Sequence, residues 1–173
     1  MNISGAFFRP EKGCAEMSKV IKFSQLAFHI ALPLAAGGIS GILVPGGREA
    51  YAAIPKPPFS PPALMFTVLW AVFYALMGVG AYLAAASGQQ RSRLALKFYY
   101  AQLGLSVIWA AVFFQFYLYT LGVAVIITQW VLLCAAIMLF SLLHRFAPLL
   151  LMPYALYITY AAYMNMGAAM LSR

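Results

Sequence analysis

The stretch Lys56-Pro57-Pro58-Phe59-Ser60-Pro61-Pro62, running directly into the apolar residues Ala63 to Ala86, decides how this chain is read. Each proline fixes φ and removes a backbone donor, so two proline pairs this close together can neither continue a helix nor sit inside a sheet. The segment reads as an extended, stiff loop. Ser60 stands where an N-cap would, Pro61 takes the first helical position, where a missing N–H costs nothing, and an uncharged apolar run follows. A bilayer-length helix is expected to begin here, with a lysine, an aromatic ring and four prolines at its lip. Such a loop is a candidate lid over the mouth of a helical bundle.

Working outward, further apolar runs cover Ile21 to Val44, Leu94 to Tyr117, Tyr119 to Leu143 and Leu149 to Leu171, beside the run from Pro61 to Ala86. At 1.5 Å per residue each can cross a hydrocarbon core of about 30 Å. The expected fold class is therefore an all-α membrane protein, a five-transmembrane-helix bundle over residues 21–173 behind a polar leader at 1–20. Composition agrees: 65% of residues are hydrophobic and only 8% charged, where a soluble protein carries roughly 25% charge. Mean hydropathy is +0.88.

The formal charge of +8 falls at the chain ends and between the runs, with no basic helix face to lie along phosphates. It reads as membrane anchoring, with the lipid bilayer as partner and no nucleic acid. Eight lysines and arginines fall on the leader side of the bundle and three on the side of the proline loop. The excess puts the N-terminus in the cytoplasm and the loop outside. Cys14 and Cys134 are far apart and have no CxxC or histidine pair beside them, so neither a disulfide nor a metal site is expected.

Several helix faces carry a mixture suited to a cavity. At 100° per residue, Phe66, Trp70, Phe73, Met77, Gly80 and Ala84 share a face of the second span. Gln102, Ser106, Trp109 and Phe113 align on the third, and Tyr154, Tyr157, Ala161, Asn165 and Ala168 on the fifth. In lipid a buried amide or hydroxyl needs a partner, so Gln102, Ser106 and Asn165 are expected to face inward. Interhelical hydrogen bonding explains them, and so does a ligand cavity with aromatic walls. Gly37-x-x-x-Gly41 offers a small-residue face for close helix approach, and Pro33 is expected to kink the first span. No acid lies in any span, which disfavours proton-coupled transport. His29 reads as a packing residue in preference to a tetrapyrrole ligand.

The segment Lys56-Pro57-x-Phe59-x-Pro61-Pro62, followed by Trp70-x-x-x-Tyr74-x-x-Met77-Gly78, resembles the signature of the translocator protein (TspO/MBR) family, the tryptophan-rich sensory proteins and the peripheral-type benzodiazepine receptor. The resemblance continues through Gln102-Leu103-x-Leu105-Ser106-x-x-Trp109-x-x-x-Phe113-Phe114, then Pro153-Tyr154-x-x-Tyr157 and Met164-Asn165. It implies a five-helix bundle, a homodimer, with a cavity under the loop between the first two helices. It also implies a porphyrin or other apolar small molecule as ligand and no bound cofactor. Carried over by position, the ligand-binding residues are Gly41, Ile54, Phe59, Ser106, Trp109, Leu121, Tyr157, Ala161 and Asn165, with Arg48, Tyr51 and Lys56 at the lip.

The chain departs from many relatives at Phe59 and Tyr157, where they carry tryptophan, and at Ser106, where they carry asparagine. The leading expectation is a tetrapyrrole-binding carrier or sensor whose cavity is walled by spans two, three and five and closed by Phe59. A light-dependent porphyrin-degrading enzyme and a regulatory membrane scaffold are the alternatives; the first lacks an indole at positions 59 and 157. The lysine-flanked first span points to a bacterial inner membrane, although relatives also occur in outer membranes.

Overall fold

The computed structural model describes residues 23–172, apart from the side chains of residues 65–67. The leader at 1–20, Ile21, Cys14 and the Phe66 side chain therefore lie outside the described residues. The chain forms α1 (Phe23–Leu43), α2 (Gly47–Ala53), α3 (Ala63–Ala86), α4 (Ser92–Ala110), α5 (Tyr119–Ser141) and α6 (Ala147–Leu171), with no strand among the described residues. All but α2 are long and apolar enough to cross a membrane. The protein is an all-α integral membrane bundle of five spans, with α2 added inside the loop between the first two.

The proline loop differs from its sequence reading in two ways. Ser60 does not cap α3: the helix begins at Ala63 with Pro62 in the N-cap position, and Ser60 Oγ donates instead to the Pro57 carbonyl at 2.6 Å. The cause is local: a residue preceding proline is pushed out of the helical region, so Pro62 keeps Pro61 from being the first helical residue and the start moves on to Ala63. Nor is the loop extended throughout. Gly47–Ala53 is helical, and Pro58-Phe59 make a turn in which Phe59 takes φ 68°.

Two other boundaries follow from similar causes. α4 widens into a π-helical turn at Ala111–Gln115, where the Phe116 N–H reaches the Ala111 carbonyl at 3.0 Å. The chain then reverses within three residues and α5 starts, so the charge-free connection is a tight hairpin. α6 begins at Ala147, ahead of the expected Leu149, because Pro148 occupies its first turn, where proline is tolerated.

The faces read from helical spacing are inward. Trp70, Met77 and Ala84 on α3 are buried, as are Gln102, Ser106, Trp109 and Phe113 on α4 and its π turn, and Tyr154, Tyr157, Ala161, Asn165 and Ala168 on α6. Buried polar groups link helices: Tyr74 OH donates to Ser106 Oγ at 3.1 Å, and Gln129 Nε2 donates to Tyr154 OH at 2.7 Å. Hydrocarbon offers no water to replace such partners.

One close approach sets the geometry of the site. Pro33 lies inside α1 and has no N–H to give the His29 carbonyl one turn earlier. That carbonyl faces Gly78 of α3, where a Cβ would stand 2.5 Å from the His29 oxygen and 2.6 Å from Ile30 Cα. α1 and α3 thus touch backbone to backbone at this level. His29 itself bonds to Tyr100 OH through Nδ1 at 3.2 Å, tying α1 to α4.

Candidate ligand-binding site

Toward the loop end of the bundle α1 and α3 part. A Cβ on Gly37 would meet the Tyr74 ring at 2.8 Å, but on Gly38 or Gly41 it would meet nothing within 4 Å. Between α1, α3 and α4 lies a cavity of about 310 Å³. Leu34, Gly37, Gly38, Ser40 and Gly41 of α1, with Val44 just past its end, form one wall. Trp70, Ala71 and Tyr74 of α3, with Ser106, Trp109 and Ala110 of α4 and Phe114 beyond it, form the others, and Arg48 and Tyr51 of α2 stand at the mouth.

The lining is mostly apolar, and its one cation is Arg48. It is exposed and has no ion-pair partner among the described residues. Its neighbour Glu49 turns away, with a carboxylate oxygen 3.4 Å from where a Gly46 Cβ would stand, beside the start of α2. Lys56 is committed elsewhere. Its Nζ donates to the carbonyls of Ala52 at 2.8 Å and Ile54 at 3.3 Å and lies 5.1 Å over the Tyr51 ring. A cation at that position completes the C-terminus of α2. Burial, with the Tyr160 phenol nearby, holds the Tyr51 phenol above its ordinary pKa, so it remains a neutral donor, given to the Pro61 carbonyl at 2.6 Å.

A second space lies beneath the proline loop between α4 and α6, and it holds only about 30 Å³. Trp109 is the reason. Its indole stacks on Trp70 at 5.8 Å and on Phe113 at 5.5 Å between ring centroids, and its Nε1 donates to Asn165 Oδ1 at 2.9 Å. The main cavity is therefore walled by spans one, two and three, a correction to the expected spans two, three and five. The volume expected beside span five is occupied by the protein's own indole.

The residues carried over from the family resemblance divide accordingly. Gly41, Ser106, Trp109, Arg48 and Tyr51 border the larger cavity, while Ile54, Lys56, Tyr157, Ala161 and Asn165 border the smaller space, which Trp109 and Tyr51 also reach. Phe59 and Leu121 border neither. Phe59 is 90% exposed at the tip of the loop, because its left-handed backbone turns the ring outward, so it does not close the cavity. Leu121 is 49% exposed; its neighbour Gly122 is the residue directed inward, where a Cβ would stand 3.3 Å from Asn165 Oδ1. One helical position separates an inward residue from an outward one.

Of the α1 wall, the family resemblance marks Gly41 alone as a site residue; Leu34, Gly37, Gly38 and Ser40 join it in the structure. Gly37-x-x-x-Gly41 marked the wall, but the same spacing serves helix packing, and only Gly37 is used that way. The loop does lie over the bundle: Pro57 packs where a Gly167 Cβ would come within 2.6 Å of it. Tyr160 OH donates to the Phe59 carbonyl at 2.6 Å and Tyr163 OH to that of Pro58 at 3.3 Å.

Comparison with known proteins places this architecture. Residues 29–171 match the TspO/MBR family. Protein CrtK of Rhodobacter capsulatus is 28% identical over 84% of this chain and 91% of its own length. The tryptophan-rich sensory protein of Cereibacter sphaeroides is 33% identical over 72% of this chain and 77% of its own. The tryptophan-rich protein TspO of Chlorobaculum tepidum is 27% identical over 81% and 90%. The match runs from the α1–α3 contact through the proline loop to the end of α6, and the chain belongs to the TspO/MBR family.

Proposed function

We propose that this protein is a membrane receptor or carrier that binds an apolar polycyclic acid, a tetrapyrrole such as a porphyrin, in the cavity between α1, α3 and α4. The observation that carries the reading is the cavity itself: about 310 Å³, walled by Trp70, Tyr74, Trp109 and Phe114, with Arg48 at its mouth. Small-molecule sites begin at about 300 Å³ and combine apolar walls with a few placed polar groups. A flat macrocycle can stack on the indoles while a carboxylate at its edge meets the guanidinium, which suits planar anions. The name of one relative, the tryptophan-rich sensory protein of Cereibacter sphaeroides, agrees with a receptor role.

Titration of detergent-purified protein with protoporphyrin, followed by tryptophan quenching, tests it. Saturable quenching is expected, most of it lost in Trp70→Phe and Trp109→Phe but kept in Trp130→Phe, because Trp130 is bonded to Thr159 on an exposed face. No saturable change, or one carried by Trp130, overturns the reading.

The stacked Trp70–Trp109 pair also places two oxidisable indoles against the same space, which favours light-dependent breakdown of the ligand as a second reading. Bleaching of the porphyrin absorption in light and dioxygen, with a new product that Trp109→Phe no longer forms, would select it. A homodimer in a bacterial inner membrane is the assembly we propose; light scattering in detergent and membrane fractionation check both.

A further inference from the structure

We propose that the cavity is loaded sideways, from the bilayer, through the gap between α1 and α3, and that it admits membrane-dissolved apolar molecules bearing an acid group, which Arg48 receives. This rests on the reading that the cavity holds a ligand.

The first observation is where the cavity opens. Among its lining residues Leu34, Gly38 and Gly41 of α1 and Ala71 of α3 are exposed, as are Gly47 and Arg48 of α2 at the loop end, whereas Ser106, Trp109 and Ala110 of α4 are buried. The rim therefore runs mainly along the flanks of two spans, a surface that faces hydrocarbon in an integral membrane bundle, and ends at Gly47 and Arg48 of α2. From Leu34 to Gly41 it runs roughly 10 Å along the helix axis. It is bounded below by the contact of Gly78 with His29 and Ile30, and no side chain fills it at Gly38 or Gly41.

The second observation is that the alternative route is fastened. A molecule arriving from water past the proline loop must displace a segment held by the Tyr51–Pro61, Tyr160–Phe59 and Tyr163–Pro58 hydrogen bonds and by Pro57 seated against Gly167. The side route breaks none of these.

The third is the match between the opening and its occupant. An apolar acid dissolved in a bilayer keeps its carboxylate near the interface and its body in the hydrocarbon. The rim has the same polarity, with Arg48 at the loop end and Leu34 deep along α1. A macrocycle too large for the cavity leaves its outer edge in the gap, against lipid, at no cost in exposed apolar surface.

The experiment uses the full chain in phosphatidylcholine nanodiscs and follows tryptophan quenching by stopped flow with protoporphyrin and its neutral dimethyl ester. Gly38→Leu and Gly41→Leu, placed where a side chain meets nothing, should slow association about tenfold or more. Ser60→Ala with Tyr163→Phe, which loosens the loop, should leave the rate unchanged. Arg48→Gln should weaken protoporphyrin about tenfold and spare the ester.

Unchanged rates in both glycine variants, or faster binding on loosening the loop, overturn the side route; equal weakening of acid and ester overturns the acid selection. A gap covered by a second copy of this chain would instead show as dimers falling to monomers in Gly38→Leu with rates unaltered, which also overturns it. Absence of saturable quenching in the unaltered chain is a separate result and removes the ligand reading itself.

Discussion

Trp109 does two things at once: it forms a wall of the larger cavity and closes the smaller one. Its indole N–H has Asn165 Oδ1 as partner, and Asn165 is held in turn by donating from Nδ2 to the Ala161 carbonyl at 2.7 Å. Asn165→Leu leaves the indole donor buried without an acceptor. It should lower stability by about 1–3 kcal/mol, read from denaturant unfolding in detergent. Phe59 is the opposite case: a bulky residue in the left-handed region, exposed and outside both spaces. Phe59→Gly relieves that backbone and should leave stability equal or up to about 1 kcal/mol higher, with porphyrin affinity unaltered. A large loss of affinity would restore Phe59 as a lid. The outward position of Phe59 was not legible in the sequence, because its φ is set by the prolines around it and by the Tyr160 bond to its carbonyl, a partner 101 positions away.

At the scale of elements, the contact between α1 and α3 depends on a proline and a glycine in different helices. Pro33 frees a carbonyl and Gly78 lets α3 come against it. Gly78→Ala puts a methyl group into the α1 backbone, where no side chain can move aside, and should cost about 1–3 kcal/mol, with earlier thermal unfolding as the readout. The existence and number of the spans were legible from uninterrupted apolarity, since lipid leaves the backbone no alternative to helix. So were the inward faces of α3, α4 and α6, because helical spacing alone brings Gln102, Ser106 and Trp109 together. The start of α3 was not legible from Ser60: the cap signature was present, but Pro62 keeps Pro61 out of the helical region and so moves the helix start beyond the reach of the Ser60 hydroxyl. The short helix α2 gave no signal either, since seven residues are too few for a periodicity.

For the whole molecule, sequence told which residues are interior but not which gap between helices stays open. That depends on how Trp109 is turned, and its rotamer follows from contacts with Trp70, Phe113 and Asn165 on other elements. The glycines of α1 were ambiguous for the same reason: Gly37 receives the Tyr74 ring and Gly41 faces open space, and nothing in their spacing separates the two. The central claim is that ligand occupies the α1–α3–α4 cavity and not the space beneath the loop beside α6. Ala110 borders only the first and Ala161 only the second. The most direct test is protoporphyrin affinity in Ala110→Phe and Ala161→Phe, each first shown by thermal unfolding to be folded. The account predicts that Ala110→Phe abolishes saturable binding while Ala161→Phe retains it; retention in Ala110→Phe with loss in Ala161→Phe would contradict it.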